Sequence, residues 1–260
     1  MDVKTMVEHD EGAYLSPEEI KKLFDACENE TERLFLMTLF FTGARVSEIV
    51  GKEVKDKITG ETKVEDPLVP KRIIWDKGYI VLRNLKRKRG RRIWKNVYVP
   101  KRLLDMLKNY IEKHGIGENE PIFKMSRHNA YYLIRKVGKK AGIETVGRKW
   151  LHPHNLRHSY RKIMQDLGFP WKFVMKQMGL VSTDTLVAYE TLKEIDYEKN
   201  VEKARQYFDN IFFGGDSVGG DEETSVGGNS DKERDIRKLE DVFFVDLPRT
   251  EPARSHGDEK

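Results

Sequence analysis

Apolar residues recur at helical spacing along most of the chain and form strand-like runs in only two short stretches. Ser16-Pro17-Glu18-Glu19 has the chemistry of a helix start: a capping hydroxyl, a proline at the first helical position and two acids in the first turn. The helix it opens is predicted to run to about Ala26. A second helix is predicted from Glu32 to about Phe41, with Leu34, Leu36, Met37, Leu39 and Phe40 apolar. Thr42-Gly43 breaks it, and a short third helix starts near Val46. Residues 55–72 are polar and punctuated by Gly60, Pro67 and Pro70, which predicts a loop or irregular strand region. Tyr79–Leu82 and Val97–Val99 read as two strands, the second ended by Pro100. Further helices are predicted at Lys101–His114, Ala130–Ala141, Leu156–Leu167 and Trp171–Met178, the last two closed by Gly168 and Gly179. Another helical stretch opens at Thr183–Glu190, and a last helix spans Asp196–Phe213. Together these elements predict an α+β fold, mostly helical, with one small antiparallel β-hairpin or sheet.

Composition sharpens this picture. The single cysteine, Cys27, excludes an intrachain disulfide, reads as a core residue and fits a reducing, cytoplasmic compartment. No stretch approaches the roughly 20 apolar residues that a membrane span needs. Charged residues make up 35% of the chain and Gln is scarce, a balance found in hyperthermophile proteins. The net charge of +5 hides an asymmetry: from Phe212 to Lys260 there are 13 acidic and 7 basic residues, so the body is strongly basic. A basic body points to a polyanionic partner, nucleic acid first. Gly214-Gly215, Gly219-Gly220 and Gly227-Gly228 mark a linker, so residues 214–260 are expected to form a flexible acidic tail on a domain of residues 1–213.

Four segments carry groups suited to phosphate chemistry. In Thr42-Gly43-Ala44-Arg45-Val46-Ser47-Glu48, the guanidinium of Arg45 follows a helix break and can grip a phosphate in bidentate fashion; the alternative is a surface ion pair with Glu48 at i+3. Arg83 to Lys95 holds eight basic residues and no acid between the two predicted strands. Such a hairpin suits a nucleic-acid backbone, with Arg83, Arg87, Lys88, Arg89, Arg91 and Arg92 as candidate contacts; a solvated tip is the alternative. In His152-Pro153-His154-Asn155-Leu156-Arg157-His158, the residues His154, Arg157 and His158 share a helix face that can bind an anion and move protons near pH 7. His154 and His158 also have the i, i+4 spacing of some zinc sites, but neither the central Glu nor a further ligand is nearby. Satisfied structural histidines are the remaining alternative. Tyr189 lies in Leu186-Val187-Ala188-Tyr189-Glu190, where nothing local marks it out from the other nine tyrosines.

In order and spacing, these segments resemble the catalytic domain of the tyrosine recombinase (phage integrase, Xer-like) family over roughly Leu15 to Phe213. The family's Thr-Gly-x-Arg-x-Ser-Glu segment is matched by Thr42 to Glu48, and its Pro-His-x-Leu-Arg-His segment by Pro153 to His158. Its hairpin lysine is best matched by Lys86, with Lys88 as runner-up. Its nucleophilic tyrosine, nine residues after a Leu-Gly-His segment, is matched by Tyr189, nine residues after Leu180 in Met178-Gly179-Leu180. Two departures stand out. Leu180 fills a slot usually held by His or Trp and cannot donate to a phosphate, a loss of about 10²–10³ in rate unless a neighbour such as Ser182 or Lys176 substitutes. Only 44 residues precede Arg45, so the family's separate N-terminal core-binding domain is expected to be absent.

The resemblance implies an integrase-type fold and a transesterification at a phosphodiester of a double-stranded DNA recombination site, without metal, ATP or other cofactor. Tyr189 would attack phosphorus and leave a 3′-phosphotyrosyl link. Arg45 and Arg157 would neutralise the non-bridging oxygens, Lys86 would protonate the leaving 5′-oxygen, His154 would take the phenol proton, and His158 would support the site. It also implies a homo-oligomer, a tetramer on DNA, in which Asp196–Phe213 docks on a neighbouring protomer; packing on its own domain is the alternative. Two rival readings share these motifs. One is a type IB topoisomerase-like relaxation of supercoils. The other is a DNA-binding regulator with impaired chemistry.

Overall fold

The structure, a computed structural model, describes residues 14–56, 58–84, 93–147, 149–180 and 194–214. Helix α1 (Pro17–Asp25) begins as its sequence dictates: Ser16 Oγ accepts from the Glu19 amide, and the Glu19 carboxylate accepts from the Ser16 amide. Helix α2 (Glu30–Phe41), capped by Asn29, is the central rod of the domain, with every residue from Leu34 to Phe41 buried. Its two buried hydroxyl neighbours are satisfied locally, Thr38 on the Leu34 carbonyl and Thr42 on the Thr38 carbonyl. Gly43 then turns the chain at φ +53°. A Cβ there would lie 2.8 Å from the Tyr160 ring, so glycine is required by both conformation and space. The short helix α3 (Val46–Ile49) follows.

The described residues hold three antiparallel sheets, two that come next and a third after two further helices. Strands β1 (Lys52–Lys55) and β2 (Thr62–Glu65) form an exposed hairpin. Strands β3 (Ile73–Ile74), β4 (Tyr79–Asn84) and β5 (Ile93–Tyr98) form the main sheet in the order β3-β4-β5, with Leu82 opposite Lys95 and Asn84 opposite Ile93. Helices α4 (Lys101–His114) and α5 (Arg127–Lys140) lead to a small hairpin, β6 (Thr145–Val146) with β7 (Lys149–Trp150). Helices α6 (Pro153–Asp166), α7 (Trp171–Met178) and α8 (Glu194–Phe213) complete the described elements. The α+β class, mostly helical with small antiparallel sheets, is therefore the observed one.

The differences from the sequence reading have physical causes. A hairpin, β1–β2, reaches into the 55–72 region, but nearly every side chain of it is exposed, so no apolar alternation announces it. Helix α5 starts at Arg127 rather than Ala130, because Ser126 caps it through the Asn129 amide. Helix α6 starts at Pro153, capped by His152, a residue type outside the usual capping set. The predicted helical stretch at Thr183–Glu190 lies outside the described residues. Cys27 is half-buried, packed against the core rather than in it, and burial pushes its thiol up to about 12.

Helix α8 packs on its own domain, against α4 and α1. Its Phe208 and Phe212 join Phe24, Phe40, Phe41 and Tyr160 in one aromatic cluster; Phe208 stands edge-on to Phe41 at 5.4 Å and stacks on Tyr160 at 5.9 Å. Such pairs add about 0.5–1.5 kcal/mol each beyond area burial. Phe208→Ala should therefore lower the stability to urea by roughly 3–5 kcal/mol. A loss below about 1 kcal/mol would show that the helix is not seated on this domain in solution.

Candidate active site

The site is built where the turn after α2, strand β5 and the facing ends of α6 and α7 meet. Arg45 is the N-cap residue of α3, and its amide donates to Glu48 Oε2 at 3.1 Å. Its Nη1 donates to Glu48 Oε1 at 2.8 Å. The i+3 ion pair considered from sequence does form, but not at the surface: Glu48 is 1% exposed. Glu48 Oε2 also accepts from Lys95 Nζ at 2.8 Å, and Lys95 itself is only 6% exposed. Arg157, 4% exposed, reaches from α6 across the same space. Its Nη1 donates to the Gly43 carbonyl and its Nη2 to the Met178 carbonyl at 3.0 Å. Lys95 Nζ donates to that Met178 carbonyl too, at 3.1 Å.

Among the described residues, Arg45 and Lys95 thus share the Glu48 carboxylate while Arg157 lies beside them on main-chain carbonyls, a surplus of positive charge in a largely dehydrated place. The titrations carry its mark. Burial, helped by the charges of Arg157 and Arg45 and resisted by Glu48, brings the Lys95 ammonium down to about 8. Burial and then Arg45 bring Arg157 down to about 10. Burial would push Glu48 up, but Lys95 and then Arg45 overcome it and hold the carboxyl below its usual range. A cluster short of negative charge, with guanidinium forks at its edge, is chemically suited to an anion such as a phosphodiester.

His154 lies one turn before Arg157 on α6, and its ring meets that of His158 edge-on at 5.7 Å. Partial burial, then His158 and Arg157, push His154 down to about 4, so its imidazole is neutral at pH 7 and able to accept a proton. Its outer side is exposed to solvent. His152 plays a structural part. Its Nδ1 accepts from the His154 amide while its own amide donates to Asn155 Oδ1, closing the N-terminus of α6. Among the described residues, no group of three or more His, Cys, Asp and Glu is arranged to hold a metal.

Of the sequence candidates, Arg45, His154, Arg157 and His158 come together here. Lys86, Arg87, Lys88, Arg89, Arg91, Arg92 and Tyr189 lie outside the described residues, as does Ser182. Arg83 is engaged within the fold, its Nη1 on Glu65 at 3.2 Å and Asp66 at 2.5 Å, so acids distant in sequence meet the first residue of the basic run. Leu180 packs partly buried against the core and donates its amide to the Met175 carbonyl. Lys176, weighed as a substitute donor for it, lies with its ammonium 4.1 Å from the Tyr197 ring. Sequence reasoning missed Glu48 as an organiser and Lys95 altogether, having merged Lys95 with the basic run. The signal that could have found it was phase: Lys95 stands two residues before Val97, which is fully buried, so the alternation of β5 turns a lysine toward the core.

With this geometry in place, the likenesses to known proteins fall into line. Residues 13–194 match the model of the phage integrase family. The chain belongs to that family. It is 26% identical over 201 residues to tyrosine recombinase XerA of Pyrococcus furiosus, covering 73% of this chain and 61% of that protein. It is 25% identical over 203 residues to transposase A from transposon Tn554 of Staphylococcus aureus, covering 73% of this chain and 51% of the transposase. The chain therefore spans between half and three fifths of the length of these relatives. Among solved structures, XerA recombinase superposes with a TM-score of 0.51 at 22% identity, over 74% of this chain and 65% of that one. XerH site-specific recombinase bound to its difH substrate, a pre-cleavage complex, superposes with a TM-score of 0.50 at 17% identity, over 73% and 52%. Both share the α+β catalytic-domain fold of the integrase family.

The lowered Lys95 value makes a stability prediction with a definite sign. The folded group releases its proton near pH 8, and the unfolded one near 10.5. Between those values the unfolded chain binds more protons, so stability should rise with pH across that window. The rise, measured by urea unfolding at several pH values, should be smaller in Lys95→Met. Parallel pH curves for the two proteins would contradict the burial of a charged lysine.

Proposed function

We propose that this chain is the catalytic domain of a site-specific DNA recombinase that cleaves and rejoins DNA through a 3′-phosphotyrosyl intermediate at Tyr189. The observation that carries the reading is the cluster of Arg45, Lys95 and Arg157 round a single buried carboxylate, with a neutral His154 one helical turn from Arg157. Membership of the phage integrase family supports it, as does the spacing of Tyr189 after Met178-Gly179-Leu180.

In this reading the scissile phosphate meets Arg45 and Arg157, whose guanidiniums offset the charge that builds on its non-bridging oxygens. The Tyr189 oxygen attacks phosphorus, and its proton passes to the neutral imidazole of His154. The P–O5′ bond breaks, Lys86 gives its proton to the departing oxygen, and a second 5′-hydroxyl later reverses the exchange. The ester is conserved through both steps, so no external energy source or cofactor is called for. Arg87, Lys88, Arg89, Arg91 and Arg92 would hold the duplex backbone beside the site. The partner is a double-stranded recombination site on which protomers assemble, as a tetramer. The cytoplasm is the compartment in which such a protein would meet its DNA.

A nicked suicide substrate, which loses its 5′-end after cleavage, tests this directly. The wild-type protein should form a DNA adduct that resists denaturation, and Tyr189→Phe should form none while binding the same DNA. Binding without an adduct in both proteins would favour the impaired regulator. An adduct that persists in Tyr189→Phe would assign the nucleophile elsewhere. Relaxation of supercoils without recombinant products would favour the topoisomerase-like activity.

A further inference from the structure

The C-terminus of α7 is held by an unusual number of side chains. Its last carbonyls would otherwise be orphaned at the end of the helix. Met178 O accepts from both Lys95 Nζ (3.1 Å) and Arg157 Nη2 (3.0 Å), and Gly179 O accepts from Asn84 Nδ2 at 2.9 Å. Asn84, Lys95 and Arg157 are all buried, and Gln177, also buried, receives the Tyr98 amide at 3.1 Å. Two cations at the negative end of a helix are favourable by its dipole as well as by hydrogen bonding. The fit is close: Gly179 has φ +64°, and a Cβ on it would lie 2.7 Å from Lys95 Cδ and 3.0 Å from Asn84 Nδ2. Glycine at this position is what lets β4 and β5 approach the helix end.

The donors are not a random set. Asn84 is the last described residue of β4, at the root of the segment that carries Lys86. Lys95 is also bonded to Glu48, which holds Arg45. Arg157 is the second guanidinium of the site. The clamped residues, Met178 and Gly179, are the point from which the chain runs on to Tyr189. The geometry points to Asn84, Lys95 and Gly179 as positioning residues that fix the departure of the nucleophile-bearing segment relative to the two arginines and to the root of the Lys86 segment. This rests on Tyr189 being the nucleophile, as proposed above. The chemical logic is that an attacking oxygen displaced by about 1 Å can lose roughly 10²-fold in rate. The clamp would then act on the rate of attack, whereas DNA affinity would come from the basic run proposed above to hold the duplex.

Asn84→Ala removes one donor and leaves the ion pairs in place, so it is the cleanest probe; Lys95→Met and Gly179→Ala are companions. Three quantities are read on the full chain. These are the rate of adduct formation on saturating suicide DNA, the dissociation constant for the same DNA, and hydrogen exchange at the Gly179 and Leu180 amides. In Asn84→Ala the adduct rate should fall about tenfold or more, DNA affinity should stay within about twofold, and the two amides should exchange faster, with only a modest fall in the urea midpoint and unchanged exchange elsewhere in the domain. A mere loss of folding would instead lower the urea midpoint and raise exchange throughout the domain. An unchanged exchange rate overturns the clamp. Faster exchange with a wild-type adduct rate overturns its positioning role, as does a rate loss matched by an equal loss of affinity. Should the wild-type protein form no adduct, the reading of Tyr189 itself fails and the positioning role falls with it. A wild-type adduct with an unaffected Asn84→Ala variant sinks only the clamp.

Discussion

The Glu48 carboxylate is the interaction on which the site depends. It lies buried between Arg45 and Lys95, with Arg157 close enough for its charge to be felt at Lys95. Without that anion, two buried or half-buried cations would face each other in a medium that screens them poorly. With it they can coexist, but the balance stays positive. Burial and the neighbouring cations lower the titrations of both Lys95 and Arg157, the electrostatic cost of packing like charges together.

The surrounding fold serves this arrangement. Helix α2 is buried along its C-terminal two-thirds, so the turn that follows it at Gly43 is held rigidly, and Tyr160 on α6 packs against that turn. The Gly43 carbonyl then accepts from Arg157, which links the two guanidinium segments through main chain as well as through charge. Helix α8 closes the aromatic cluster beneath α2 from its own domain. Arg83 and Lys95 bracket the basic run in sequence, yet both are bound to acids inside the fold.

Much of the architecture was legible from residue pattern. Lys101–His114 and Trp171–Met178 have the bounds that apolar spacing and, for the second, its closing Gly179 predict, because caps and periodicity act locally. The proximity of Arg45, His154 and Arg157 followed from the resemblance of their two segments to one family, whereas nothing in the first segment alone separated a phosphate grip from a surface ion pair, nor in the second an anion-binding face from structural histidines. The exposed hairpin β1–β2 was not legible, since strands without a buried face carry no alternation.

Tertiary structure alone decided which buried charges meet. In sequence, Glu48 is an ordinary acid at i+3 from an arginine, and Lys95 is the last of eight basic residues. Only the packing of the folded chain sets the Lys95 ammonium 2.8 Å from the Glu48 carboxylate. Helix type is set by neighbours within a turn or two. The electrostatic role of a side chain is set by dehydration and by partners 47 to 83 residues away, which no local pattern records.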